Sequence, residues 1–223
     1  MTTSWHAILD CQFSAAQALE LESRLGATAQ ALVALWSDEP ARGADAWCFE
    51  PWAVAEWREW HLLELQGPRG WWFSLFPGGA EVGNGHQWGS FLSEPGFQRK
   101  CRDSVRLLAR ATDASRAIYV PSHGTVAELA LHALWNGASL QEILAALGAH
   151  FGPPAASPSE ILRQYTWDEL QRAVAEERNP GIRSELESTL SEWRMRSKEG
   201  VRIDPLWKGF GTDQGYFVES FAE

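Results

Sequence analysis

Two periodicities run through this chain. From Trp60 to Gln66, Trp60, Leu62, Glu64 and Gln66 alternate with His61, Leu63 and Leu65, and Gly67-Pro68-Arg69-Gly70 then breaks the run ahead of "WWFSLF". A period of two closed by a Gly/Pro turn predicts a β-hairpin, with a helix over the first arm as the competing reading. Trp5–Phe13 reads as an opening strand, Ala80–Val82 as a short strand inside a glycine-rich stretch, Ala117–Pro121 as another, and "GYFVESF" at 215–221 as the last.

The helical period is clearest over 97–112. Phe97, Cys101, Val105 and Leu108 share one side, and Arg99, Arg102, Arg106 and Arg110 fall within a narrow arc opposite. A helix from Ser14 through Leu35 is expected to end or kink at Gly26. Further helices are expected over 126–135, apolar nearly all round and so buried, over 140–151 with a stripe of Leu140, Ile143, Leu144, Leu147 and Phe151, and over 182–196. Thr125–Glu128, Ser139–Glu142, Ser157–Glu160 and Thr166–Glu169 all have capping-box spacing. Together these predict an α+β fold: a small, mostly antiparallel sheet from the first half and the last strand, packed against several helices, with the C-terminal half mainly helical. One domain spanning 1–223 is expected, divided internally into an acidic, Trp-rich sheet part (1–97) and a mainly helical part (98–223).

Composition narrows the partner classes. The net charge is −10, and residues 1–97 hold 12 acidic side chains against four basic ones, Arg24, Arg42, Arg58 and Arg69. Such a field repels nucleic acid and anionic lipid and favours a basic partner. Thirteen tryptophans are present, and Trp47, Trp52, Trp57, Trp60, Trp71, Trp72 and Trp88 crowd into some forty residues. Most belong in a core, but so many indoles in one segment also suggest an exposed aromatic patch. Cys11, Cys48 and Cys101 are too far apart for a disulfide framework or a zinc site. "MTTSWHAILDCQF" lacks the basic start and cleavage site of a signal peptide, and no apolar run reaches bilayer-spanning length. A cytoplasmic protein without metal or cofactor is expected.

Catalytic signatures are sparse. Ser122 and His123 end a strand just before a helix, a place where ligands bind in many folds. As neighbours in extended chain they point to opposite faces and cannot act as nucleophile and base for each other, and Gly124-Thr125 also reads as a turn and cap. "GNGHQWG" at 83–89 lacks the residues of a phosphate loop, although His86 and Trp88 on a flexible loop suit contact roles. His6, His61, His86, His123, His132 and His150 form no metal-ligand pair, and His132 is expected to be a core histidine. The arginine stripe is expected to face water or to pair with the acidic first half.

"RAIYVPSHGTVAELALHALWNGASLQEILAALGAHFGPPAASPSEI", residues 116–161, resembles a pattern of immunity proteins in bacterial polymorphic-toxin systems, where a short strand precedes a helix pair and a Gly-Pro-Pro-type connector. The resemblance covers about a fifth of the chain and transfers no catalytic residue. It implies a non-enzymatic cytoplasmic protein that neutralises a toxin domain, here a basic one. Trp52, Trp57, Glu59, His86 and Trp88 are the expected partner contacts. A small hydrolase or transferase with a ligand site at Ser122, His123 and Arg106 is the alternative, and carbohydrate binding by exposed tryptophans a third.

Overall fold

A computed structural model describes residues 4–11, 17, 20–38, 45–49, 63–161, 167–198 and 215–221. Its centre is a seven-stranded sheet of β1 (Ser4–Leu9), β2 (Cys48–Phe49), β3 (Leu63–Gln66), β4 (Trp72–Phe76), β5 (Gly79–Gln87), β6 (Arg116–Pro121) and β7 (Phe217–Ser220), ordered β2-β3-β4-β5-β1-β6-β7. Every neighbouring pair is antiparallel. The fold is α+β, as the two periodicities predict.

Alternation sorts the strand residues onto two faces. Trp5, Ala7, Leu9, Leu65, Phe73, Leu75, Ala80, Val82, Ala117 and Tyr119 form one core. It is covered by α1 (Leu21–Leu35), α2 (Trp88–Ser93) and α3 (Pro95–Thr112), which contribute Leu21, Leu25, Leu32, Phe91, Cys101, Val105 and Leu108. Ile8, Phe76, Ile118 and Val120 face the other way, against Val126, Ala130, Leu131 and Leu134 of α4 (Thr125–Trp135) and Leu140, Ile143 and Leu147 of α5 (Leu140–Phe151). Two further helices, α6 (Trp167–Glu176) and α7 (Pro180–Lys198), follow.

The hairpin of β3 and β4 pairs Leu65 with Phe73 around the expected turn. Helix α3 shows the amphipathic face expected of it, with Pro95 in its first turn, where a missing N–H costs nothing, and left-handed Asp113 at its end. Ser139 and Glu142 form a full capping box.

Several expectations are corrected by the structure. Gly26 is exposed inside an uninterrupted α1, and its lower helix propensity is outweighed by buried Leu21, Leu25 and Leu32. The expected short strand at 80–82 is a nine-residue strand that absorbs "GNGHQ". Its Gly83 leaves space for the Trp72 ring, which a Cβ there would approach to 2.3 Å. Thr125 is the first helical residue of α4, behind Gly124, and its side chain makes no cap bond. Glu160 Oε2 accepts from Ala156 N at 3.0 Å ahead of a 3-10 turn, while the Ser157 hydroxyl lies against Ser159. His132 is exposed and stacks on Trp135 with ring centroids 5.0 Å apart, so it is no core histidine. The sheet also draws β6 from mid-chain, and α1, from the first half, joins the covering helices. Ser14 and Thr166 lie outside the described residues.

Candidate functional site

A carboxylate inside a short apolar strand must find donors or stay protonated. The sheet buries two, one on each face. Glu219 of β7 stands opposite Ala117 and is 6% exposed. Arg102 and Arg106, one turn apart on α3, reach it together. Arg102 donates through Nε at 3.1 Å and Nη2 at 2.9 Å, Arg106 through Nε at 2.8 Å and also through Nη2, and the Tyr119 hydroxyl at 2.8 Å. Arg106 Nη1 also donates to Asp103 at 2.7 Å, and the Arg102 guanidinium lies 5.1 Å from the centre of the Phe217 ring. Burial pushes the Glu219 carboxyl up, but the Arg102 and Tyr119 hydrogen bonds and the two guanidinium charges outweigh it and hold the group below the ordinary glutamate value. Burial first, and then the neighbouring carboxylate, push the Tyr119 phenol well above its usual value, so it remains a donor. Beside the cluster an open cavity of about 670 Å³ is lined by Arg106, Arg110, Asp113, Ser115, Glu219 and Phe221.

On the opposite face, Glu81 of β5 lies between Ser74 and Ile8 in register. One of its oxygens, Oε1, meets Nδ1 of His6, and the other, Oε2, accepts from Trp135 Nε1 at 3.0 Å. The side chains of His6 and Glu81 are 13% and 8% exposed. The Trp72 ring stands edge-on to the imidazole at 5.3 Å. With Glu81 ionised, the shared proton sits on Nδ1 and the lone pair on Nε2, which has no protein partner among the described residues. An imidazole oriented by a carboxylate, with its second nitrogen open, is how proteins hold a general base.

The residues singled out from sequence are scattered. Trp52, Trp57 and Glu59 lie outside the described residues. Trp88 is fully buried at the start of α2, its ring stacked on Phe91 at 5.3 Å, so it cannot be a surface contact. Trp47 and Trp71 are buried too, because the apolar sheet face needs their bulk. His86 is half-buried on β5 rather than on a flexible loop, stacked on Trp36 at 5.2 Å and edge-on to Phe97 at 5.0 Å. Ser122 continues the β1–β6 ladder: its N donates to Ser4 O at 2.8 Å and its Oγ accepts from Ser4 N at 2.9 Å. His123 is exposed, with Nδ1 2.6 Å from the Ser122 carbonyl oxygen. Arg106 binds Glu219 in the row of Ala117, five residues back along the strand from Ser122, or about 16 Å at strand rise. The site expected at Ser122, His123 and Arg106 is therefore not assembled. Of the arginine stripe, Arg99 and Arg110 are exposed as expected, whereas Arg102 and Arg106 pair with the last strand and not with the acidic first half.

Sequence reasoning missed His6, Glu81, Trp135, Tyr119 and Glu219 as functional candidates. The available signal was a lone carboxylate in "GAEVG" and in "YFVESF", each flanked by small or apolar residues that leave it without a local partner. Among the described residues no cluster of three or more His, Cys, Asp or Glu has metal-holding geometry, and no helix is long and apolar enough to cross a membrane. No family model, curated protein or solved structure matches the chain.

Proposed function

We propose that this chain is a non-enzymatic cytoplasmic protein-binding protein of the immunity type, docking on and neutralising a basic toxin domain. The observation that carries the reading is the disposition of charge. Lys100 pairs with Asp38, Arg24 with Asp113, Arg116 with Asp10, and Arg102 and Arg106 with Glu219, so these cations are spent on the protein's own carboxylates. Glu20, Asp45, Glu94 and Glu128 are exposed carboxylates. With a net charge of −10, the outward field is negative, and it steers a cationic partner and sets its association rate. The strand, helix pair and Gly152-Pro153-Pro154 connector of residues 116–161 support the same reading through their resemblance to immunity proteins. Trp52, Trp57 and Glu59 are its contact residues, with His86 at the margin.

The test is co-expression with the product of the neighbouring reading frame. Rescue from toxicity, co-purification, and association that slows steeply with salt are expected. Replacing Trp52, Trp57 and Glu59 together with alanine should weaken the complex at least tenfold, on the order of 1.4 kcal/mol, without changing the melting temperature. No rescue and no co-purification would end the proposal.

The oriented imidazole of His6 favours a second reading, a small hydrolase or transferase that uses His6 as base and Glu81 as its positioning residue, in place of a site at Ser122 and His123. Turnover of an acyl or glycosyl model substrate that disappears in His6→Gln would favour it over the docking protein.

A further inference from the structure

Among the described tryptophans, the indole N–H of Trp36 donates to Ser104 at 2.8 Å, that of Trp47 to Thr28 at 3.3 Å, and that of Trp135 to Glu81. Trp5 and Trp71 differ. Both rings are fully buried, and neither Nε1 has an acceptor among the described residues. The amide nitrogen of Asn84, a residue 4% exposed, is a third such donor. Its orientation is fixed, because the His86 backbone N–H lies 3.3 Å from the other amide atom and can only donate, which makes that atom the oxygen.

These donors are neighbours. His6 and Trp72 both stand opposite Gly83, from the strands on either side of β5. One residue back along each chain are Trp5 and Trp71, which flank the segment of β5 that begins with Asn84. The register slips there, and Gly85 takes a positive φ of 64°. The two rings meet edge to face with centroids 5.5 Å apart, although β5 runs between their strands. They can touch only above the face of β5 to which Val82 and Asn84 belong. Three buried donors, from β1, from β5 and from the residue that leads into β4, thus belong to one face of the sheet, with Phe91 stacked on Trp5 at 5.5 Å.

We propose that Trp5, Asn84 and Trp71 form an internal binding site for a single-atom hydrogen-bond acceptor, a halide ion or the oxygen of an ordered water. Three N–H groups without an acceptor are too costly to leave bare in the interior, and a polar guest with two to four partners is the usual remedy. A halide accepts from all three and returns nothing. A water accepts from two and needs somewhere to send its own protons.

Crystals of the full chain grown in sodium bromide, with data collected at the bromine edge, test this. One ordered atom within hydrogen-bond reach of the three nitrogens is expected. An anomalous peak identifies it as halide, and density without anomalous signal as water. In solution, the indole N–H resonances of Trp5 and Trp71 should shift when chloride is exchanged for bromide if the guest is halide, and should instead show cross-relaxation with water if it is water. Trp71→Phe should remove one resonance and weaken the response of the other. The site is overturned if no atom is found there and neither resonance responds, or if the nitrogens turn out to meet protein acceptors.

Discussion

The two faces of the sheet each bury a glutamate, and the two environments differ in kind. Glu219 receives five hydrogen bonds from Arg102, Arg106 and Tyr119, so its lone pairs are committed to joining α3 to an edge strand. Glu81 holds an imidazole and an indole, and among the described residues that imidazole keeps one nitrogen uncommitted. A saturated cluster is spent on the fold, whereas one that ends in an open valence retains chemistry. Arg106, which the sequence offered with Ser122 and His123 as an alternative ligand site, belongs to the first kind. His6, which carried no signal of its own, belongs to the second.

Loss of the Glu219 carboxylate is the more severe perturbation of the two. Glu219→Ala takes the shared acceptor from two part-exposed guanidinium groups and a buried phenol. It should cost about 3 kcal/mol in urea unfolding, because the buried Tyr119 hydroxyl loses its acceptor and two charge-assisted pairs are lost at once. A loss below about 1 kcal/mol would mean that solvent reaches Arg102 and Arg106 easily enough to replace the carboxylate.

Glu81→Ala should cost less, about 2 kcal/mol, since the groups seen to lose an acceptor are one ring nitrogen and one indole rather than two guanidinium groups and a phenol. Its sharper readout is the tautomer of His6. Long-range nitrogen–proton correlation should show the proton on Nδ1 in the parent chain and predominantly on Nε2 in Glu81→Ala, while Glu219→Ala leaves it on Nδ1. An unchanged tautomer would remove Glu81 from the positioning role.

The smallest effect concerns acid. The folded-state pKa of Glu219 is depressed, so its contribution is fully present above the unfolded-state pKa, near the ordinary glutamate value, and is lost as pH falls through the folded value. Melting temperature should therefore decline through the acid range in the parent chain, with a flatter slope in Glu219→Gln. Equal slopes would place the acid-labile carboxylates elsewhere.

Much of the framework was legible because it is local. The 63–76 hairpin, the apolar face of α3 and the Ser139–Glu142 cap all depend on residues within a turn or two of each other. What failed depends on distant partners. The glycines of "GNGHQWG" look like a loop until Trp72 is seen resting on Gly83. Trp88 looks like an exposed anchor until Trp5 and Phe91 are seen enclosing that end of the sheet. His6 and Glu81 are separated by 75 residues, and Arg102 and Glu219 by 117, so no spacing rule could pair them.

The position of β1 governs how the molecule is built. Residues 4–9 lie between β5 and β6, so both neighbours of this strand are made long after it. A nascent chain must carry Trp5, Ala7, Ile8 and Leu9 without their sheet partners until residues 79–87 and 116–121 have left the ribosome. That gives a high contact order, for which folding in milliseconds to seconds is the general expectation. During that interval "WHAIL" is an unpaired apolar strand, and it is the segment a chaperone would be expected to protect.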